Sequence, residues 1–272
     1  LGGRRLILTR RSAQLADFVD LLWWSRRETP LLADEHMLPT GTAQLVVALH
    51  DAPFRWTASD GSADTWRGAV LHGPQSRYYV AHAKASGTVV GASLRPSAAA
   101  LFGVSATSLT DRHVPLEALW GAHAERMRQQ ISAATTPQAA LDELERSLAA
   151  QLQRPLLLHP ATAGALFGDW NAERPFRLRE YARESGFSEK HVIGCFSESV
   201  GLTPARYFRI RRFAGILRAL GPARSTSIAE VAADAGYADH AHLVRDFREF
   251  AGVAPSAYRP ADGTSLHHHR AS

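Results

Sequence analysis

The chain has 272 residues, 45% of them hydrophobic, which is enough for two domains that each bury a core. Its single cysteine, Cys195, excludes an internal disulfide and suits a reducing compartment. No apolar run approaches the ~20 residues of a membrane span and no secretory leader opens the sequence, so a cytoplasmic location is expected. There are 31 Lys plus Arg against 26 Asp plus Glu. Residues 171–272 hold 15 and 11 of these, so +4 of the formal +5 lies in the C-terminal part and fits a basic surface there.

In chain order, Phe18, Val19, Leu22 and Trp23 form a first packed segment. The short apolar runs Ala43–Leu49, Tyr78–Ala81 and Thr88–Leu94 are separated by Asp-Ala-Pro, Asp-Gly-Ser and Ser-Gly-Thr turns, a rhythm that predicts a compact β-sheet or barrel-like domain. Pro96 opens a short helix that Gly103 ends. Two helices follow, Pro115–Ile131 and Pro137–Leu152, with Leu141, Leu144, Leu148 and Leu152 at helical spacing. This hairpin serves either as a dimer contact or as a cover for its own sheet or the C-terminal part. A last helix, Ala161–Trp170, leads into the boundary Asn171–Pro175. The expected fold is α+β in two domains. Residues 1–156 make a β-rich domain with C-terminal helices, 157–174 connect, 175–260 form an all-α domain, and 261–272, with His267–His269, form a disordered tail.

One pattern occurs twice in the last hundred residues. Leu178, Ala182, Gly186, Phe196, Gly201, Pro204 and Tyr207 are repeated as Ile228, Ala232, Gly236, Phe247, Gly252, Pro255 and Tyr258. A small residue four places before a glycine lets two helices cross closely, and the glycine takes the left-handed conformation that ends the first helix. Ser188 and Asp239 stand where the next helix needs an N-cap. Val192 and Phe196, like Leu243 and Phe247, then make a core stripe at i, i+4. This leaves Ser188, Glu189, Lys190, His191, Ile193 and Gly194 on one outer face and Asp239, His240, Ala241, His242 and Arg245 on the other. Arg245 is the strongest candidate for base readout, because a guanidinium bonds guanine bidentately.

Between the two copies, Thr203 caps and Pro204 begins a helix whose stripe is Tyr207, Ile210, Ala214 and Leu217, and Gly221-Pro222 stops it. It would hold two reading heads about one DNA turn apart, ~34 Å. Arg206, with Arg209, Arg211, Arg212 and Arg218, is a candidate for phosphate contact; a solvated helix face explains these arginines equally well.

This tandem arrangement, and above all the ending Gly252-Val253-Ala254-Pro255-Ser256-Ala257-Tyr258-Arg259, resembles the AraC/XylS family of bacterial transcription regulators. The resemblance covers about residues 172–260. It implies seven helices in two subdomains, promoter binding in the DNA major groove, and an N-terminal domain for effector sensing or dimerisation. Where the family commonly has a long polar reader two places before the recognition-helix phenylalanine, Arg245 fills the second copy and Gly194 the first, so the first head is expected to position more than to choose. His36-Met37-Leu38-Pro39-Thr40-Gly41 and Gly91-Ala92-Ser93-Leu94-Arg95-Pro96 resemble, more loosely, the uncharacterised β-rich sensor domains of some such regulators.

Chemistry is sparse. His36, His50, His72 and His82 lie among predicted strands without the spacing of a metal site, and no nucleophile elbow, phosphate loop or dinucleotide fingerprint occurs. Neither enzyme activity, cofactor nor metal is expected, and Cys195 is expected to be a packed thiol. The expected partners are double-stranded DNA, RNA polymerase, a small-molecule effector and a second copy of the chain. The alternative is an enzyme or DNA-repair protein carrying a borrowed DNA-binding module, and a methyl-accepting repair fusion would require a reactive cysteine in the N-terminal part.

Overall fold

The computed structural model describes residues 5–30, 33–82, 86–96, 98–152, 158–171, 173–220, 232, 235–260 and 267–270. The N-terminal region is two antiparallel sheets. The first has β1 (Arg5–Arg10), β2 (Val19–Arg27), β9 (Gly87–Leu94), β4 (Gln44–Ala48), β7 (Ala69–His72) and β10 (His113–Pro115), in that spatial order. The second has β11 (His268–Arg270), β3 (Glu35–Met37), β8 (Tyr79–Ala81), β5 (Phe54–Ala58) and β6 (Ala63–Trp66). The expected β-rich domain is present, and the three apolar runs are β4, β8 and β9. Pro96 is followed by a 3-10 turn, Ala98–Phe102, which Gly103 ends at φ +68°.

Strands β4 and β7 are apolar almost without alternation because both of their faces are covered. Leu45, Val47, Ala69, Leu71, Val90 and Ala92 face one core, while Val46, Ala48 and Val70 meet Trp66, Phe54 and Trp56 on the other side. The first core is closed by helices α1 (Glu117–Trp120), α2 (Ala122–Ala133) and α3 (Pro137–Ala149). Leu141, Leu144 and Leu148 are fully buried there, so the hairpin covers its own sheet. That use leaves this stripe unavailable as a dimer contact.

The C-terminal region holds α4 (Pro160–Phe167), α5 (Leu178–Ser185), α6 (Glu189–Val200), α7 (Pro204–Ala219) and α8 (His240–Ala251) among the described residues. Residues 221–231, where the first helix of the second repeat and the Gly221-Pro222 stop were expected, lie outside them. α7 is the hub of a second core. Its Tyr207, Ile210, Phe213, Ile216 and Leu217 pack with Phe196 of α6 and with Phe247 and Phe250 of α8. Leu38 and Tyr78 of the β-rich region join the same core, so packing is continuous between the regions.

The expected disordered tail is corrected at residues 268–270, which form β11 on β3, with His269 opposite His36. The strand is held because a pairing edge is available and His269 is buried against Arg259, whose amide donates to His269 Nδ1 at 2.9 Å.

His113 sits beside Trp56, Tyr79 and His72, its Nδ1 in contact with His72 Nδ1 and its Nε2 without a partner among the described residues. Burial pushes this imidazole down to about 4, against a smaller upward pull from Asp64. Between pH 6.5 and about 4 the unfolded chain therefore binds the His113 proton more readily than the folded one. Stability contributed by neutral His113 is complete above pH 6.5 and is lost as the pH falls, by up to about 1.4 kcal/mol per pH unit. Denaturant unfolding at pH 7 and pH 5 is expected to differ less in His113→Gln than in the parent.

Candidate nucleic-acid interface

α5 ends at Gly186, φ +74°, after burying Tyr181 and Ala182, and the chain turns into α6. Ser188 Oγ accepts the His191 amide N–H at 3.2 Å, as the N-cap reading requires. Val192, Phe196 and Val200 bury the inner stripe. Glu189, Lys190, His191 and Gly194 are exposed and Ile193 is half-buried. A Cβ at Gly194 would meet nothing within 4 Å, so this face is smooth because a side chain is missing there.

The second unit repeats the geometry. Gly236 takes φ +75°, and Asp239 caps α8 by accepting the His242 amide at 2.6 Å. Leu243, Phe247, Phe250 and Ala251 are buried, whereas His240, Ala241 and Arg245 are exposed. Arg248, absent from the expected set, continues that face one turn later and is also exposed. Arg245 makes no hydrogen bond or ion pair among the described residues, which leaves its guanidinium available.

Two expected contact residues are already engaged. Arg206 is not turned outward: it is ion-paired with Glu249, bonds the Ser76 carbonyl and lies over the Phe250 ring at 4.6 Å. His242 bonds Arg212 at 3.1 Å and meets Tyr237 edge-on, half-buried. Of the other linking-helix arginines, Arg209 and Arg212 also turn inward, whereas Arg211 and Arg218 are exposed. Arg209 bonds Asp246 at 2.6 Å and Glu249 at 2.7 Å, Arg212 approaches Asp246 at 3.6 Å, and Arg211 and Arg218 border a cavity. Asp246, fully buried, also accepts the Tyr237 hydroxyl at 3.0 Å. Burial alone would raise the Glu249 carboxyl, but its bonds to Arg206 and Arg209 outweigh that and hold it below the usual range. Periodicity could not separate Arg206, Arg209 and Arg212 from phosphate-facing arginines, because the carboxylates that claim them lie 34 to 43 residues away.

The far ends of both reading helices are held by the β-rich region. At α6, Thr107 Oγ1 donates to the Ser197 carbonyl at 2.9 Å, Ser105 Oγ to that of Glu198 at 3.3 Å, and Thr110 Oγ1 to that of Gly201. At α8, His36 Nδ1–H donates to the Ala251 carbonyl at 2.7 Å while its ring stacks on Tyr78. Gly201 and Gly252 end the two helices at φ +85° and +74°. A Cβ would lie 2.8 Å from the Ala106 carbonyl oxygen at Gly201 and 2.6 Å from Tyr78 at Gly252. Each glycine thus serves both the left-handed turn and the close approach of the other region.

The four N-terminal histidines do not converge. His36 bonds Ala251, His72 meets His113, His82 bonds Thr57 and Asp34, and His50 packs on Phe54. Cys195, expected as a packed thiol, is only half-buried and lies 3.5 Å from His191.

Residues 181–261 match the family described as helix-turn-helix domain, and residues 10–115 match a domain of unknown function, DUF6597. No curated protein matches the sequence. Among solved structures, apo ToxT from Vibrio cholerae is similar at 11% identity, covering 93% of this chain and 95% of that one, with a TM-score of 0.48. Unsaturated fatty acid-bound ToxT gives 11%, 93%, 93% and 0.47, and the AraC-like transcriptional activator CuxR 12%, 77%, 86% and 0.31. The C-terminal part is a helix-turn-helix domain of the AraC type. The C-terminal part thus carries a DNA-binding class of fold, and the region before it is β-rich. Among the described residues, no helix is long and apolar enough to cross a membrane.

Asp246→Ala leaves Arg209 and Arg212 without their buried partner. Tyr237 also loses its acceptor, while the partly exposed Arg209 keeps Glu249, so denaturant unfolding followed by far-UV circular dichroism is expected to show a loss of about 1–3 kcal/mol.

Proposed function

We propose that α6 and α8 enter two successive major-groove windows on one side of a promoter, that α8 chooses sequence and α6 chiefly sets position, and that the bound protein acts on RNA polymerase. The observation that carries this reading is the exposed N-terminal half of each capped helix, with Arg245 free in one and the smooth Gly194 position in the other. On this reading Ser188, Glu189, Lys190 and His191 border DNA at the first window, and Asp239, His240, Arg245 and Arg248 at the second. Arg206 and His242 support the helices from behind.

The regulatory part of the proposal rests on a cavity of about 820 Å³ between the β-sheets and α7. Trp23, Trp56, Trp66 and Phe54 give it an aromatic wall, and Arg211, Arg218 and His267 a basic border. Burial, with the nearby charges of His268, Arg218 and Arg211, pushes His267 down to about 4, so the arginines carry the positive charge at neutral pH. This chemistry suits an apolar small molecule with one anionic group. Met37 and Tyr79 line the cavity, and their neighbours His36 and Tyr78 hold the end of α8. A ligand that favours one arrangement of these residues shifts the placement of the second head; one that binds both arrangements equally shifts nothing. A second copy of the chain would bind palindromic sites more tightly, and Leu6, Ile7 and Leu8 on edge strand β1 are exposed apolar residues suited to that contact.

Selection of binding sites from random duplexes tests the readout. Arg245→Ala is expected to relax preference at one guanine-bearing position by about 1–3 kcal/mol while the others persist; an unchanged selected motif refutes the assignment. For the cavity, a panel of long-chain carboxylates and the matching alcohols is expected to raise the melting temperature only for the acids. The double change Arg211→Ala with Arg218→Ala is expected to erase that difference.

A further inference from the structure

The geometry points to a zinc-class metal site made by His159, His191 and Cys195, which joins the connecting helix α4 to the first reading helix α6. His191 and Cys195 are one turn apart on α6, so their side chains leave the same face. His159 arrives from the N-cap position of α4. His191 Nε2 lies 3.4 Å from His159 Nε2 and 3.5 Å from Cys195 Sγ, and all three donor atoms fall within 4.8 Å of one another. A tetrahedral zinc with Zn–N of ~2.0–2.1 Å and Zn–S of ~2.3 Å places its ligands ~3.3 Å apart for two nitrogens and ~3.5 Å for nitrogen and sulfur. Both separations about His191 therefore already equal the edges of a zinc tetrahedron. Phe187 stacks on the His191 ring and meets His159 edge-on, which fixes both imidazoles.

The protons support the same reading. His159 Nδ1 accepts the Ala161 amide N–H at 3.1 Å, so a neutral ring carries its proton on Nε2, aimed at His191. The Cys195 thiol approaches the same His191 nitrogen, so two donors meet one lone pair. A divalent ion resolves this. The Cys195 thiol loses its proton to solvent, the His159 proton moves from Nε2 to Nδ1 at the expense of the capping bond, and the metal takes the three freed lone pairs, with water in the fourth position. Thiolate with imidazole selects zinc-class ions over magnesium or calcium. Loading removes His191 from the surface offered to DNA and pins α4 to α6, so metal status becomes an input to the first head.

The test needs no DNA, so its outcome is separate from that of the proposed function. The full chain is titrated with Co²⁺, the spectroscopic stand-in for zinc. Because Cys195 is the only cysteine among thirteen histidines, a thiolate-to-cobalt charge-transfer band reports this site alone. The band is expected to saturate at one equivalent, to be displaced by Zn²⁺ and to vanish in Cys195→Ser. His191→Ala and His159→Asn, the latter keeping an oxygen able to cap α4, are each expected to weaken Co²⁺ binding by at least about tenfold. Circular dichroism confirms that each variant is folded. Absence of the band at saturating Co²⁺, or a band unchanged in folded His159→Asn, overturns the site.

Discussion

The arrangement depends on what happens at the last carbonyls of the two reading helices. A helix ends with unsatisfied acceptors, and here the β-rich region supplies donors for several of them: the hydroxyls of Ser105, Thr107 and Thr110 at α6, and the His36 ring at α8. Both approaches are close because the helices stop at glycines. The N-terminal region is therefore part of the capping of α6 and α8, and a change in its shape reaches those helices through hydrogen bonds.

The same division between inside and outside governs charge. The C-terminal excess of cations appears in the sequence as a basic surface, yet Arg206, Arg209 and Arg212 face Asp246 and Glu249. They hold α7 against α8, stack over Phe250 and Tyr237, and pair with a carboxylate buried in the core. On the outer faces of α6 and α8 themselves the exposed cations are Lys190, Arg245 and Arg248.

The sequence was most legible where local chemistry decides structure. Ser188, Asp239 and Thr203 cap helices, Gly186, Gly201, Gly236 and Gly252 take the left-handed conformation, and the apolar stripes of α6, α7 and α8 face inward. It was least legible where the partner lies far along the chain. The second role of Gly201 and Gly252, the capture of Arg206 by Glu249, and the meeting of His159 with His191 and Cys195 all depend on tertiary approach. The leucine stripe of α3 is identical for a helix covering its own sheet and one pairing with a second molecule, so only packing separates them. The histidines at 268 and 269 carry no strand pattern of their own and join one because β3 offers an edge.

That last strand changes how the second head is attached. α8 follows the described end of α7 on one side, and beyond it the chain returns to the first domain, where His268–Arg270 lie in register with Glu35–Met37. The chain beyond α8 is thus tied to the β-rich region by strand pairing. The three residue pairs of that clasp also place His267 in the lining of the cavity.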